Sequence, residues 1–143
     1  MALVGGGGSP NVGGGSNPAG TGSSLNYIGN HAYAYSGEVI VNNNTVTMLE
    51  FTTGSEYVMA KFSYGVDRNA VLGGSKQIGF TISMDGQKVM QVVTFTNSSH
   101  GILDFDNNYA ILLPPFTKVK IESETDEADN VPTFAMLTGR VYA

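Results

Sequence analysis

The 143-residue sequence has no cysteine and no tryptophan, and only 13% of its residues are charged. Without cysteine there are no disulfides and no thiolate ligands, which excludes a disulfide-stapled scaffold and a cysteine metal centre and leaves the redox compartment open. The charged fraction is about half of the roughly 25% usual for soluble domains, so Asn, Thr, Ser and Gly must supply the polar surface. A thinly charged exterior suits a protein largely covered by partners. Seven Lys and Arg stand against twelve Asp and Glu, and the net charge of -5 argues against nucleic-acid attachment, which needs cations to displace counterions from phosphates. Long apolar runs are also missing. No stretch approaches the ~18 residues of a membrane span, and Met-Ala-Leu-Val followed by Gly5–Gly8 lacks the basic start and apolar length of a signal peptide. Any export is expected through release of an assembly that contains the protein.

What is present divides into three zones: an arm over 1–24, a linker over 25–34 carrying Tyr27 and Tyr33, and a strand-rich body over 35–143. From Met1 to Gly37 there is no Asp, Glu, Lys or Arg, and Gly5–Gly22 holds nine of the nineteen glycines. Such a segment has little apolar surface to bury, and its glycines lose the most backbone entropy on ordering, so alone it is expected to be a flexible tether. Leu3, Val4 and Val12 are its few side-chain anchors.

The body alternates with period two and shows no convincing period of 3.6, which predicts strands without substantial helix. The predicted strands are Tyr35–Val41, Val46–Thr53, Glu56–Tyr64, Gln77–Met84, Gln87–Phe95, Tyr109–Leu113, Phe116–Ser123 and Thr133–Tyr142. Asp85-Gly86 supplies the positive φ angles of a two-residue type I′ hairpin, with Ile82 expected opposite Val89 and Ile78 opposite Val93, all on one face. Pro114-Pro115 separates two strands, because proline cannot donate to a central ladder. The last strand is apolar on both faces, with Ala135, Leu137 and Val141 on one and Phe134, Met136 and Tyr142 on the other. One face fits the core, and the other predicts a subunit contact. About eight antiparallel strands without crossover helices define an antiparallel β-sandwich, and eight is the number of a jelly roll.

Candidate chemistry is sparse. Ser98, Ser99, His100 and Asp104 are residue types of a nucleophile, base and orienter, but no Gly-x-Ser-x-Gly elbow accompanies them, and a polar loop is the preferred reading. His31 is the only other histidine, read as a linker residue among tyrosines instead of a zinc ligand. The run from Asp104 to Asn108 starts like a calcium loop, yet Tyr109 occupies the glycine position and Pro115 that of the bidentate Glu. Glu122, Glu124, Asp126, Glu127 and Asp129 read as a solvated loop, with a weak calcium site or a bridge to a basic neighbour as alternatives. The glycine runs match no phosphate loop, and Asn43-Asn44-Thr45 and Asn97-Ser98-Ser99 read as polar loops. No enzyme, cofactor or metal site is expected.

A sandwich of this size behind a Gly/Ser/Pro arm, ending in Ile-Leu-Leu-Pro-Pro-Phe-Thr-Lys-Val-Lys-Ile-Glu, an acidic segment and Leu-Thr-Gly-Arg-Val-Tyr, resembles the jelly-roll decoration (cement) proteins of tailed-bacteriophage capsids. The resemblance implies a non-enzymatic homo-trimer on the capsid exterior, made in the host cytoplasm, with the major capsid protein as partner. It gives the arm (Leu3, Val4, Val12) the task of stapling neighbouring capsomers. Phe134, Met136 and Tyr142 are the expected oligomer interface. The alternatives are a receptor- or glycan-binding head domain of a viral fibre and a small capsid-forming jelly-roll subunit.

Overall fold

The computed structural model describes residues 25–67, 77–96, 108–126 and 130–142, and among these there is no helix. Nine strands are present: β1 (Asn26–Ile28), β2 (His31–Val41), β3 (Val46–Thr52), β4 (Tyr57–Val66), β5 (Gln77–Met84), β6 (Gln87–Phe95), β7 (Tyr109–Leu113), β8 (Lys118–Thr125) and β9 (Val131–Tyr142). They form two antiparallel sheets, ordered β1-β2-β9-β4-β7 and β3-β8-β5-β6. With β1 set aside, the chain from β2 to β9 visits the two sheets in the order of two interleaved Greek keys, which is a jelly roll. The protein is thus an all-β sandwich, with a ninth strand added to the eight expected.

That ninth strand corrects the reading of 25–34 as a linker. Ile28 pairs with His31 across Gly29-Asn30, with Gly29 at φ 58°, so the segment is a tight hairpin added to the edge of β2. Its inner residue, Tyr27, is one of the largest fully buried side chains, and Leu25 is buried beside the strand. The backbone N–H of Gly54 donates to the Tyr27 hydroxyl at 3.3 Å, which gives the buried phenol a partner. Burial pushes the Tyr27 pKa above its ordinary value; the nearby Glu56 charge adds to this and the Gly54 hydrogen bond opposes it.

The Asp85-Gly86 hairpin forms with both turn residues at positive φ, 49° and 82°. Its register departs from the expected one. Ser83 pairs with Lys88, but Ile82 pairs with Met90 and Ile78 with Thr94, leaving Val89 in a bulge. The turn is clamped to β8, since Asp85 N–H donates to Lys118 O at 2.8 Å and Lys118 N–H donates to Asp85 Oδ1 at 2.9 Å. The extra residue is therefore taken up in β6. A one-residue slip turns every later side chain over. Val92, Thr94 and Thr96 face inward, while Val89, Val93 and Phe95 lie on the surface. Two further bulges lie in β2, between Tyr35 and Glu38, and in β3, between Thr47 and Leu49. In the first, Ala135 N–H donates to Ser36 Oγ, so a hydroxyl fills a place in the interrupted ladder.

Between the sheets the core is apolar, and an aromatic group ties its two layers. Phe62 and Tyr64 of β4 meet Phe80 of β5 with ring centroids 5.6 and 4.7 Å apart, and Tyr109 of β7 lies against Tyr64. Strand β8 starts later than expected because Phe116 is in a turn at φ 52°, with its N–H donating to Gly54 O. Thr53 holds the same turn. Its Oγ1 donates to Pro114 O at 2.6 Å and accepts from Thr117 N–H at 2.8 Å.

Candidate interaction face

The two outer faces of the sandwich differ in chemistry. On the four-stranded sheet, Glu50, Lys118, Lys120 and Glu122 point outward and form a ladder of ion pairs, Lys118–Glu50 at 3.7 Å, Lys120–Glu50 at 3.9 Å and Lys120–Glu122 at 3.4 Å. Exposed pairs of this kind add little stability, but they keep a face wet. Glu124 accepts from Thr45 Oγ1, and Asp126 accepts from the Gln77 backbone N–H. Glu122, within the predicted strand Phe116–Ser123, is an outward residue of β8, and Glu124, read from sequence as part of a solvated loop, is one as well.

The five-stranded sheet turns a different surface to solvent. Its register places Tyr142 beside Tyr57, Arg140 between His31 and Met59, Met59 between Arg140 and Leu112, Met136 between Tyr35 and Ser63, and Phe134 between Glu38 and Gly65. Period two in β9 and in β4 sends the alternate residues inward: Leu137 and Val141 on one strand, Val58, Ala60 and Phe62 on the other. Outside they leave Phe134 at 38%, Met136 at 39% and Tyr142 at 52% exposure, with Tyr35, Tyr57, Met59 and Leu112 about half exposed alongside. Scattered exposed apolar residues are ordinary; here they fall in two groups, Tyr35, Phe134 and Met136 towards one end of β9 and Tyr57, Met59, Leu112 and Tyr142 towards the other, with Thr138 and Lys61 between them. The charges on this face are Lys61, Arg140 and Glu38, and the Arg140 guanidinium lies over the Tyr142 ring at 5.9 Å.

Two hollows interrupt the face. One, of about 590 Å³, is lined chiefly by Ile28, His31, Tyr33, Tyr35 and Thr138. The Tyr33 and Tyr35 rings lie 5.4 Å apart within it. The other, of about 240 Å³, lies between Phe134 and Met136 and the β4 residues Ser63–Gly65.

The residues singled out from sequence are distributed unevenly. Phe134, Met136 and Tyr142 share one outward face. Leu3, Val4 and Val12, the Ser98/Ser99/His100/Asp104 group and the acidic residues Glu127 and Asp129 lie outside the described residues. His31 is on β2, facing outward in the larger hollow, and no linker holds it. Of the calcium-like run only Asn108 is described, and its Oδ1 accepts from Ser63 Oγ at 2.8 Å. Among the described residues no group of three or more His, Asp or Glu could hold a metal ion, and no helix is long and apolar enough to cross a membrane. Tyr35, Tyr57, Met59 and Leu112 were missed as members of the face. The available signal was in Tyr57–Ala60, which is apolar on both faces in the same manner as the last strand. Comparison with protein families, with curated proteins and with solved structures returned no match to this chain.

Proposed function

We propose that the chain is a non-enzymatic structural protein that self-associates through the outer face of its five-stranded sheet and decorates a viral capsid from outside. The observation that carries this reading is the asymmetry of the sandwich. On one outer face β3 and β8 are laced with ion pairs beside an exposed strip of Val89, Val93 and Phe95 on β6; the other carries tyrosine, methionine and phenylalanine on β2, β4 and β9 with few charges to desolvate. Burying that surface between copies removes apolar area from water at little electrostatic cost. A homo-trimer is the assembly we assign to it. The uncharged arm over 1–24, anchored by Leu3, Val4 and Val12, then reaches the major capsid protein and follows grooves between capsomers as an added strand. Binding only the assembled shell stabilises it by mass action. Co-sedimentation with empty shells tests this directly. The full chain is expected to pellet with them and a chain lacking 1–22 to remain in the supernatant, whereas equal pelleting of both would remove the arm from the account.

A second reading is favoured by the hollow at Tyr33 and Tyr35. Two adjacent tyrosine rings beside His31 and Thr138 form a surface on which a sugar ring could stack, as in the head domain of a viral fibre. Glycan-array binding that is lost in Tyr35→Ala, without shell binding, would replace the first reading with this one.

A further inference from the structure

The apolar surface of the five-stranded sheet is interrupted in the middle, and the sheet's cations gather at the interruption. Thr138 of β9 is a small side chain with Tyr33 opposite it on β2 and Lys61 opposite it on β4. One outward step along β9, Arg140 lies between His31 and Met59. The larger hollow exists because Thr138 is short among long neighbours: it opens over this residue and runs along β2 beside the Tyr33 and Tyr35 rings. Glu38 is the sole Asp or Glu in the five strands of this sheet, and it stands towards the other end of β9, beside Phe134. On the opposite sheet Lys118 and Lys120 are paired with Glu50 and Glu122, whereas Lys61 and Arg140 have no ion-pair partner among the described residues. A protein of net charge -5 thus carries a locally positive spot beside a hollow walled by two tyrosines.

Resting on the second reading above, in which this part of the face is open, we infer that the hollow binds an acidic sugar of a glycan, one that carries a carboxylate on its ring, as sialic and uronic acids do. Small-ligand sites are commonly hollows of roughly 300–1,000 Å³ that join apolar walls to a few polar groups, and this one has about 590 Å³. A pyranose presents a face of C–H groups that lies flat on an aromatic ring, and Tyr33 and Tyr35 offer two such rings 5.4 Å apart. With the sugar seated there, a carboxylate on its β9 side meets Lys61 and Arg140. Their attraction to it is charge-assisted, and the planar guanidinium matches a planar carboxylate edge to edge, which is why the charge is assigned to a carboxylate. The Thr138 hydroxyl and the His31 imidazole remain for the sugar's hydroxyls. A neutral sugar accounts for the rings alone and a simple anion for the cations alone; a carboxylated sugar uses both.

The test places the full chain on an array that pairs glycans ending in a sialic or uronic acid with the same glycans lacking that acidic sugar, and includes sulfated glycans. Binding to the carboxylated member is expected to exceed binding to its neutral counterpart by about threefold or more, as one partly exposed charge pair allows, and to approach parity at ~0.5 M salt. Lys61→Gln combined with Arg140→Gln is expected to remove the preference while the melting temperature holds, since both side chains are exposed. Tyr35→Ala is expected to lose both members of each pair. Equal binding to the two members by the wild type, a preference that survives the double substitution, or stronger binding to sulfated glycans would overturn the proposal and leave the sugar reading in place. Binding to no glycan at all would remove both.

Discussion

Gly139 has no room for a methyl group. A Cβ built there would lie 2.6 Å from Met59 O and 2.8 Å from Ala60 Cα, both backbone atoms of the neighbouring strand that can move only by opening the β4–β9 ladder. Gly139→Ala is therefore expected to destabilise the protomer by about 1–3 kcal/mol, the usual range for overpacking, in urea denaturation. Gly65→Ala serves as a control. A Cβ at Gly65 meets nothing within 4 Å, so its effect is expected to stay within about 0.5 kcal/mol. Tyr27 supports a second prediction at this scale. Its phenol ionises at higher pH in the folded protein than the ordinary 10.0, chiefly because it is buried. The unfolded chain thus releases this proton first, so the contribution to stability is complete below about pH 10 and is lost as pH rises through the folded value. Tyr27→Phe is expected to lower stability at neutral pH by about 0.5–1.5 kcal/mol through loss of the Gly54 hydrogen bond, and to flatten the alkaline decline. An unchanged alkaline slope in the variant would place the titrating group elsewhere.

The strands themselves were largely legible in the sequence, and the exceptions have physical causes. Gln77–Met84, Gln87–Phe95 and Tyr109–Leu113 agree with the structure at both ends because Gly, Pro and Asp-Gly punctuate them. β1 was missed although Gly29-Asn30 is a recognised hairpin pair, since the lack of charge up to Gly37 made Asn26–Ile28 look continuous with the arm. The register of β5 and β6 could not be read from alternation, because a bulge depends on what the turn touches. Here that is the backbone of Lys118, 33 residues further along the chain. Nor did alternation reveal that β6 hides Thr94 while exposing Phe95. The burial of Leu25 and Tyr27 brings 25–28 into the folded body and gives a prediction for the element. Deletion of 1–22 is expected to leave the melting temperature nearly unchanged, whereas deletion of 1–30 removes β1 with its buried aromatic side chain and is expected to cost at least about 3 kcal/mol. Thermal denaturation of the two truncations checks this, and equal melting temperatures would show β1 to be dispensable.

For the molecule as a whole, a jelly roll hosts many functions, so its strand order alone assigns none. The distinction between its two outer faces carries more weight. Part of it was visible in the last strand, where Phe134, Met136 and Tyr142 alternate with core residues. The contributions of Tyr35, Tyr57, Met59 and Leu112 depend on which strands become neighbours, which no local pattern encodes. The account's central claim is that this face joins copies of the chain. Met136 is near its centre, between Tyr35 and Ser63, and is 39% exposed, so an aspartate there is solvated in the free protomer and loses its water only in an assembly. An unpaired charge buried at an interface is strongly unfavourable. The deciding measurement is size-exclusion chromatography with light scattering on the wild type and Met136→Asp. The account predicts an oligomeric wild type and a monomeric variant of 15.0 kDa with the protomer's melting behaviour preserved; an oligomer of unchanged mass in the variant, or a monomeric wild type, would contradict it.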